Sequence, residues 1–87
     1  MINKISTDDI KKKILYRSIH RGCKETDHLI GNFAKNNIDK LNIEELILFE
    51  KLIQEDDLLI YDWIISKQEC KLEYFELIKK IQIYHNL

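Results

Sequence analysis

The sequence has no proline, two glycines, two cysteines, three histidines, one tryptophan and only two arginines. Each shortage excludes something. Two separated glycines, Gly22 and Gly31, cannot make the Gly-rich loop that cradles a phosphate. Cys23 and Cys70 form no CxxC pair and too small a set for a disulfide framework, so they read as reduced thiols in a reducing compartment. His20, Cys23, His28 and Cys70 match no familiar zinc spacing, and no metal is expected on them. Three scattered histidines supply no nucleophile–base–acid set. No stretch approaches the roughly 20 apolar residues that span a bilayer. The opening MINKISTDDIKKK carries two aspartates and no apolar core, so it reads neither as a signal peptide nor as a transit peptide.

What the chain does contain is isoleucine, leucine, lysine and glutamate in runs that repeat at helical spacing. With 45% hydrophobic and 33% charged residues over 87 positions, the reading is one soluble domain spanning 1–87, with about 1–6 a disordered N-terminus. Its class is all-α, a small five-helix bundle. Such a chain buries only about 60% of its unfolded surface, so its core is small.

The expected helices run from near Thr7 to the Arg21 region, Lys24 to Ala34, Ile43 to Gln54, Leu58 to Ile65, and near Cys70 to Tyr84. Ser6 with Asp9 and Asn42 with Glu45 have capping-box spacing, and Leu41 with Leu46 has that of a hydrophobic staple. Asp56 or Asp57 is expected to cap the fourth helix. Asn36 and Asn37 are expected to begin a connection. The expected inward residues are Ile10, Ile14 and Ile19, then Leu29, Ile30 and Phe33, then Leu46, Phe49 and Ile53, then Trp63, and finally Leu77, Ile78 and Ile81.

The net charge of −1 conceals a split. Residues 1–25 hold seven basic and three acidic side chains, 26–69 four and ten, and 70–87 three and two. A basic first helix could meet a phosphate or an acidic surface, but the acidic middle argues against wrapping by nucleic acid.

The segment Arg17 to Glu25 is the densest in information. Both arginines lie in it, Arg17 and Arg21 one helical turn apart, with Gly22 next and Glu25 and Asp27 following. A guanidinium offers a planar fork of donors that lysine lacks. Gly22 suits the position after a helix end and lets another surface approach. A surface lattice of charges worth about 0–1 kcal/mol per pair fits the same residues.

The stretch Tyr16-Arg-Ser-Ile-His-Arg-Gly-Cys-Lys-Glu-Thr-Asp27 resembles the RGxxE signature of the succinate dehydrogenase flavinylation factors, the SdhE-type family of FAD assembly factors. Leu29, Ile30 and Phe33, then Leu46, Phe49, Glu50 and Leu52, and then Asp56-Asp57 with Tyr61-x-Trp63 are similar to later stretches of that family. Three departures stand out. Thr26 replaces a residue that is often apolar. Leu58-Leu59 replaces a common Pro and Asp. Lys67-Gln68-Glu69-Cys70 replaces a frequent Gly/Pro turn.

The resemblance implies an assembly chaperone, not itself an enzyme, that promotes covalent attachment of FAD to the flavoprotein subunit of succinate dehydrogenase, and extends to that of fumarate reductase. It implies a cytoplasmic, bacterial monomer that binds no nucleic acid, inserts in no membrane, holds no cofactor stably and acts on the FAD of its client. Arg21, Gly22 and Glu25 would carry client contact, flanked by His20, Arg17, Lys24 and Asp27. The alternative is a small helical nucleic-acid-binding or regulatory protein using the basic first helix.

Overall fold

A computed structural model describes residues 7–19 and 24–87. Five helices and no strand form among those residues, in agreement with the helical spacing of the apolar side chains. Helix α1 (Thr7–Ile19) buries Ile10, Ile14 and Ser18, a single stripe at four-residue steps. The expected Ser6 cap, the residues 1–6 and the helix-ending Gly22 lie outside the described residues.

Helix α2 covers residues 24–37 and departs from the simple α-helix expected. It joins an α-helical first turn (Lys24–Thr26), a π turn (Asp27–Gly31) and an α-helical end (Asn32–Asn37). The wider turn brings Leu29, Ile30 and Gly31 inward together, ahead of Phe33 and Ala34. Asn36 and Asn37 do not begin the connection. Their amides bond back to the carbonyls of Asn32 (2.9 Å) and Phe33 (3.0 Å), which extends the helix. A 3₁₀ turn (Ile38–Lys40) then leads to α3.

Helix α3 (Ile43–Leu52) begins with the expected capping box: Asn42 accepts from the Glu45 amide at 2.8 Å, and the Glu45 side chain accepts from the Asn42 amide at 3.0 Å. Leu41 and Leu46, the staple pair, are both buried. Glu45 also accepts from Lys80, which ties α3 to the last helix and holds its carboxyl below the usual carboxylate range.

Helix α4 (Asp57–Ile64) buries Ile60, Trp63 and Ile64. Asp56 stands at its N-cap position, but its side chain makes no capping hydrogen bond, against expectation. The last helix, α5 (Phe75–Tyr84), starts later than its apolar pattern suggests. Lys67 takes a left-handed conformation (φ 55°) to reverse the chain, and a 3₁₀ turn (Leu72–Tyr74) precedes the helix. Residues 65–71 therefore form a true connection. Helix α5 ends in a Schellman arrangement: Asn86 is left-handed (φ 61°), its amide donates to the Ile83 carbonyl, and the Leu87 amide donates to that of Gln82.

The core is one cluster in which Ile14, Ile30, Leu46, Phe49, Leu52, Ile60, Ile64, Tyr74 and Ile81 are fully enclosed. Phe33 joins two helices to α2 by edge-on contacts with Phe49 (5.8 Å between ring centres) and Tyr84 (5.6 Å). Helix α1 lies on α3 and on the π turn, the first turn of α2 lies on α4, and α4 lies on α5.

Candidate functional site

The signature singled out in the sequence spans the end of α1, the start of α2 and the segment that joins them. Of the seven residues expected there, the structure describes four. Arg17 is exposed in the last turn of α1, Lys24 and Glu25 are exposed in the first turn of α2, and Asp27 is half-buried where the π turn begins. His20, Arg21 and Gly22 lie outside the described residues. The acidic pair sits where negative side chains oppose the helix dipole favourably.

Thr26 explains why Glu25 is held at the surface. Its side chain is completely buried, and this first turn rests against α4. The methyl group of Thr26 thus does the work of the apolar residue that the resemblance leads one to expect. Its hydroxyl, like that of the fully buried Ser18 near the end of α1, has no hydrogen-bond partner among the described residues.

Packing of α2 on α4 makes a surface that the sequence did not place. Glu25 shares a depression of about 530 Å³ with Asp56, Asp57, Leu58 and Tyr61. The sequence offered a partial signal, since Asp56-Asp57 and Tyr61 belong to a stretch that resembles the same family. Nothing local indicated that this stretch lies beside Glu25, because the proximity is set by the tertiary contact through Thr26.

The residues weighed for a metal behave otherwise. The Asn32 amide donates to Nδ1 of His28 at 2.9 Å, and the His28 ring lies 5.6 Å from that of His85. Cys70 is half-buried, and burial pushes its thiol pKa up, the opposite of an activated thiolate. It lines a separate groove of about 600 Å³ with Trp63, Leu72 and Phe75. No three of the described His, Cys, Asp and Glu residues are placed to hold a metal.

The basic face of α1 is partly neutralised. Lys11 pairs with Asp39 at 3.0 Å and Lys13 with Glu50 at 2.7 Å. This leaves little of the three-lysine run for a phosphate backbone, and weakens the nucleic-acid alternative. No helix among the described residues is long and apolar enough to cross a membrane.

The described residues form a small all-α protein in which Arg17 at the end of α1 and Lys24, Glu25 and Asp27 at the start of α2 flank the segment that joins the two helices. Residues 12–85 match the model of the family described as flavinator of succinate dehydrogenase, and the chain belongs to that family. Over 84 residues it is 38% identical to succinate dehydrogenase assembly factor 2, mitochondrial, of Dictyostelium discoideum, covering 95% of this chain and 60% of that one. It is 31% identical to the FAD assembly factor SdhE of Legionella pneumophila (strain Paris) over 75 residues, 86% of this chain and 95% of the relative. With the FAD assembly factor SdhE of Acetobacter pasteurianus it shares 35% over 57 residues, 66% of this chain and 52% of the relative. The chain thus spans about half the length of most of the curated relatives it matches.

Proposed function

We propose that this protein is an assembly chaperone that promotes covalent attachment of FAD to the flavoprotein subunit of succinate dehydrogenase. The observation that carries the reading is the family match across 12–85, which contains the whole Arg21-Gly22-x-x-Glu25 signature. In this reading the flavin belongs to the client, and this chain holds none of its own. In the attachment a flavin methyl group loses a proton, a client histidine nitrogen bonds to that carbon and releases its own N–H proton, and the electron pair passes into the flavin ring, which is left two-electron reduced, so negative charge builds there. Preorganised positive groups stabilise such charge. The chaperone's part is to hold the client where the client's own residues perform this step, so it is not an enzyme.

Arg21 and Glu25 make polar contacts with the client, Gly22 lets the two surfaces come close, and His20, Arg17, Lys24 and Asp27 flank them. Arg17, the described arginine, is exposed and has no ion pair among the described residues, which supports its availability for a partner. We extend the client range to the fumarate reductase flavoprotein subunit, and place the protein as a monomer in the bacterial cytoplasm. Deleting the gene should lower covalent flavin on the client subunit, read as in-gel flavin fluorescence of the denatured polypeptide. An unchanged signal in the deletion strain would refute the assignment.

A further inference from the structure

Two side chains at the start of α4, that of the N-cap residue Asp56 and that of Leu58, stand outside the packing of the fold. Asp56 stands at the N-cap with φ −63° and ψ 140°. An aspartate there ordinarily accepts a hydrogen bond from an amide of the first turn, worth about 1 kcal/mol. The Asp56 carboxylate makes no such bond, and has no ion pair among the described residues. It lines the depression beside Glu25 instead. Two residues on, Leu58 is 65% exposed, although the same helix encloses Ile60 and Ile64 completely. Tyr61, half-buried, forms another wall of the depression.

An uncommitted carboxylate beside an exposed leucine and a tyrosine suits a particular partner chemistry. The carboxylate takes a cation, and the apolar flank takes the methylene stem of a long basic side chain or an apolar neighbour. The surrounding residues 26–69, with ten acidic against four basic side chains, favour the same sign of partner. Because the depression includes Glu25, this surface is continuous with the signature.

We propose that Asp56, Leu58 and Tyr61 form a second docking strip, which takes a cationic side chain carried on an apolar segment of the client flavoprotein subunit. The proposal rests on the client reading above. It adds a contact formed by α4, away from the signature in sequence, and gives the client segment a charge and a polarity.

Titration of the purified flavoprotein subunit with the full chain tests it, using Asp56→Asn, Leu58→Asp and, as a reference, Leu72→Asp. Asparagine serves an N-cap as well as aspartate, and Leu58 and Leu72 are mostly exposed, so all three should keep the helical circular dichroism of the wild type. Leu72 lies on the other groove. The expected result is about a tenfold weakening for both Asp56→Asn and Leu58→Asp, with the reference unchanged. Wild-type binding should weaken with added salt, and Asp56→Asn should flatten that dependence. Wild-type affinity in both strip variants overturns the strip while leaving the client assignment standing. Weakening by Leu58→Asp alone overturns the cationic partner. Failure of the wild-type chain to bind the subunit overturns the client reading, and the strip with it.

Discussion

Nε2 of His85 donates a 2.8 Å hydrogen bond to the backbone carbonyl of Leu29, and so fastens the end of the last helix to the π turn of α2. Only the ring nitrogen can donate here, because a carbonyl only accepts. The Tyr84 and His28 rings also lie near this imidazole, at 4.8 and 5.6 Å between ring centres. His85→Ala should cost about 1–2 kcal/mol, since a half-buried carbonyl loses its partner and the rings lose a neighbour. Urea denaturation would measure it. A midpoint equal to the wild type's would show that the carbonyl is satisfied by water.

Thr26→Val should stabilise the domain by about 1 kcal/mol. The site is fully buried, the shapes match closely, and the hydroxyl that is removed has no partner among the described residues. Thermal melts decide this. A valine variant that melts earlier would mean that the hydroxyl is hydrogen-bonded, and that the start of α2 depends on it.

Trp63 and Glu25 should separate core from surface. Trp63 is 6% exposed and its ring lies 5.7 Å from that of the buried Tyr74, so Trp63→Ala should cost about 3–5 kcal/mol and unfold or loosen so small a domain. Glu25→Ala should melt within a few degrees of the wild type while lowering client flavinylation, because exposed charges contribute little to stability. Equal loss of melting temperature in the two variants would make Glu25 structural.

Lys67→Gly should raise stability by about 0.5–1 kcal/mol. A left-handed lysine costs about 1–2 kcal/mol, and the greater freedom of glycine in the unfolded chain returns part of the gain. A destabilised variant would show that the Lys67 side chain contributes a contact larger than its backbone strain.

The pH dependence should have a plateau with two identifiable edges. The Tyr74 hydroxyl donates to Glu55 Oε2 at 2.8 Å, and Lys71 donates to the same oxygen at 2.8 Å. Burial first, and then the Glu55 carboxylate, push the Tyr74 pKa well above its ordinary 10.0. The hydrogen bond from Lys71, and then that from Tyr74, hold Glu55 below its ordinary 4.5. Stability linked to Tyr74 is therefore complete below pH 10.0 and falls above it, as the unfolded tyrosine ionises. That linked to Glu55 is complete above pH 4.5 and falls below it, as the unfolded carboxylate takes up a proton. Tyr74→Phe should flatten the alkaline edge and Glu55→Gln the acid edge in melts across pH. Curves parallel to the wild type's would remove these groups as the cause.

Much of this architecture can be read in the sequence where the signal is periodic and local. The Ile10–Ile14 stripe, the Asn42–Glu45 box and the Leu77–Ile78–Ile81 face all follow from spacing, because one helix turn decides them. What could not be read depends on partners distant in sequence or on backbone geometry. The π turn has no residue signature, since Asp27–Gly31 is acceptable as an α-turn until tertiary packing brings three consecutive residues inward. The delayed start of α5 was hidden because Lys67, and not a glycine, takes the left-handed position. Of the candidate site, only the part that is local in sequence was legible. The signature and its flanks stand together in the chain, whereas Asp56, Leu58 and Tyr61 reach Glu25 through the packing of α4 on α2. The aspartate expected to cap α4 missed its role for the same kind of reason, because composition places Asp56 at the helix start but does not aim its carboxylate.

The π turn also bears on how this family's sequences can change in length. A ring closed from residue i to i+5 holds one residue more than an α-turn. Removing one residue between Thr26 and Asn32 would let the helix close as an ordinary α-turn, with Glu25 still facing α4 and Phe33 still against Phe49. A deletion elsewhere in α2 would rotate every side chain after it by about 100° relative to those before it. Alignments that place a one-residue gap in 27–31 thus compare equivalent residues on both sides of it, so the spacing that follows the signature can vary by one while its surface stays in place.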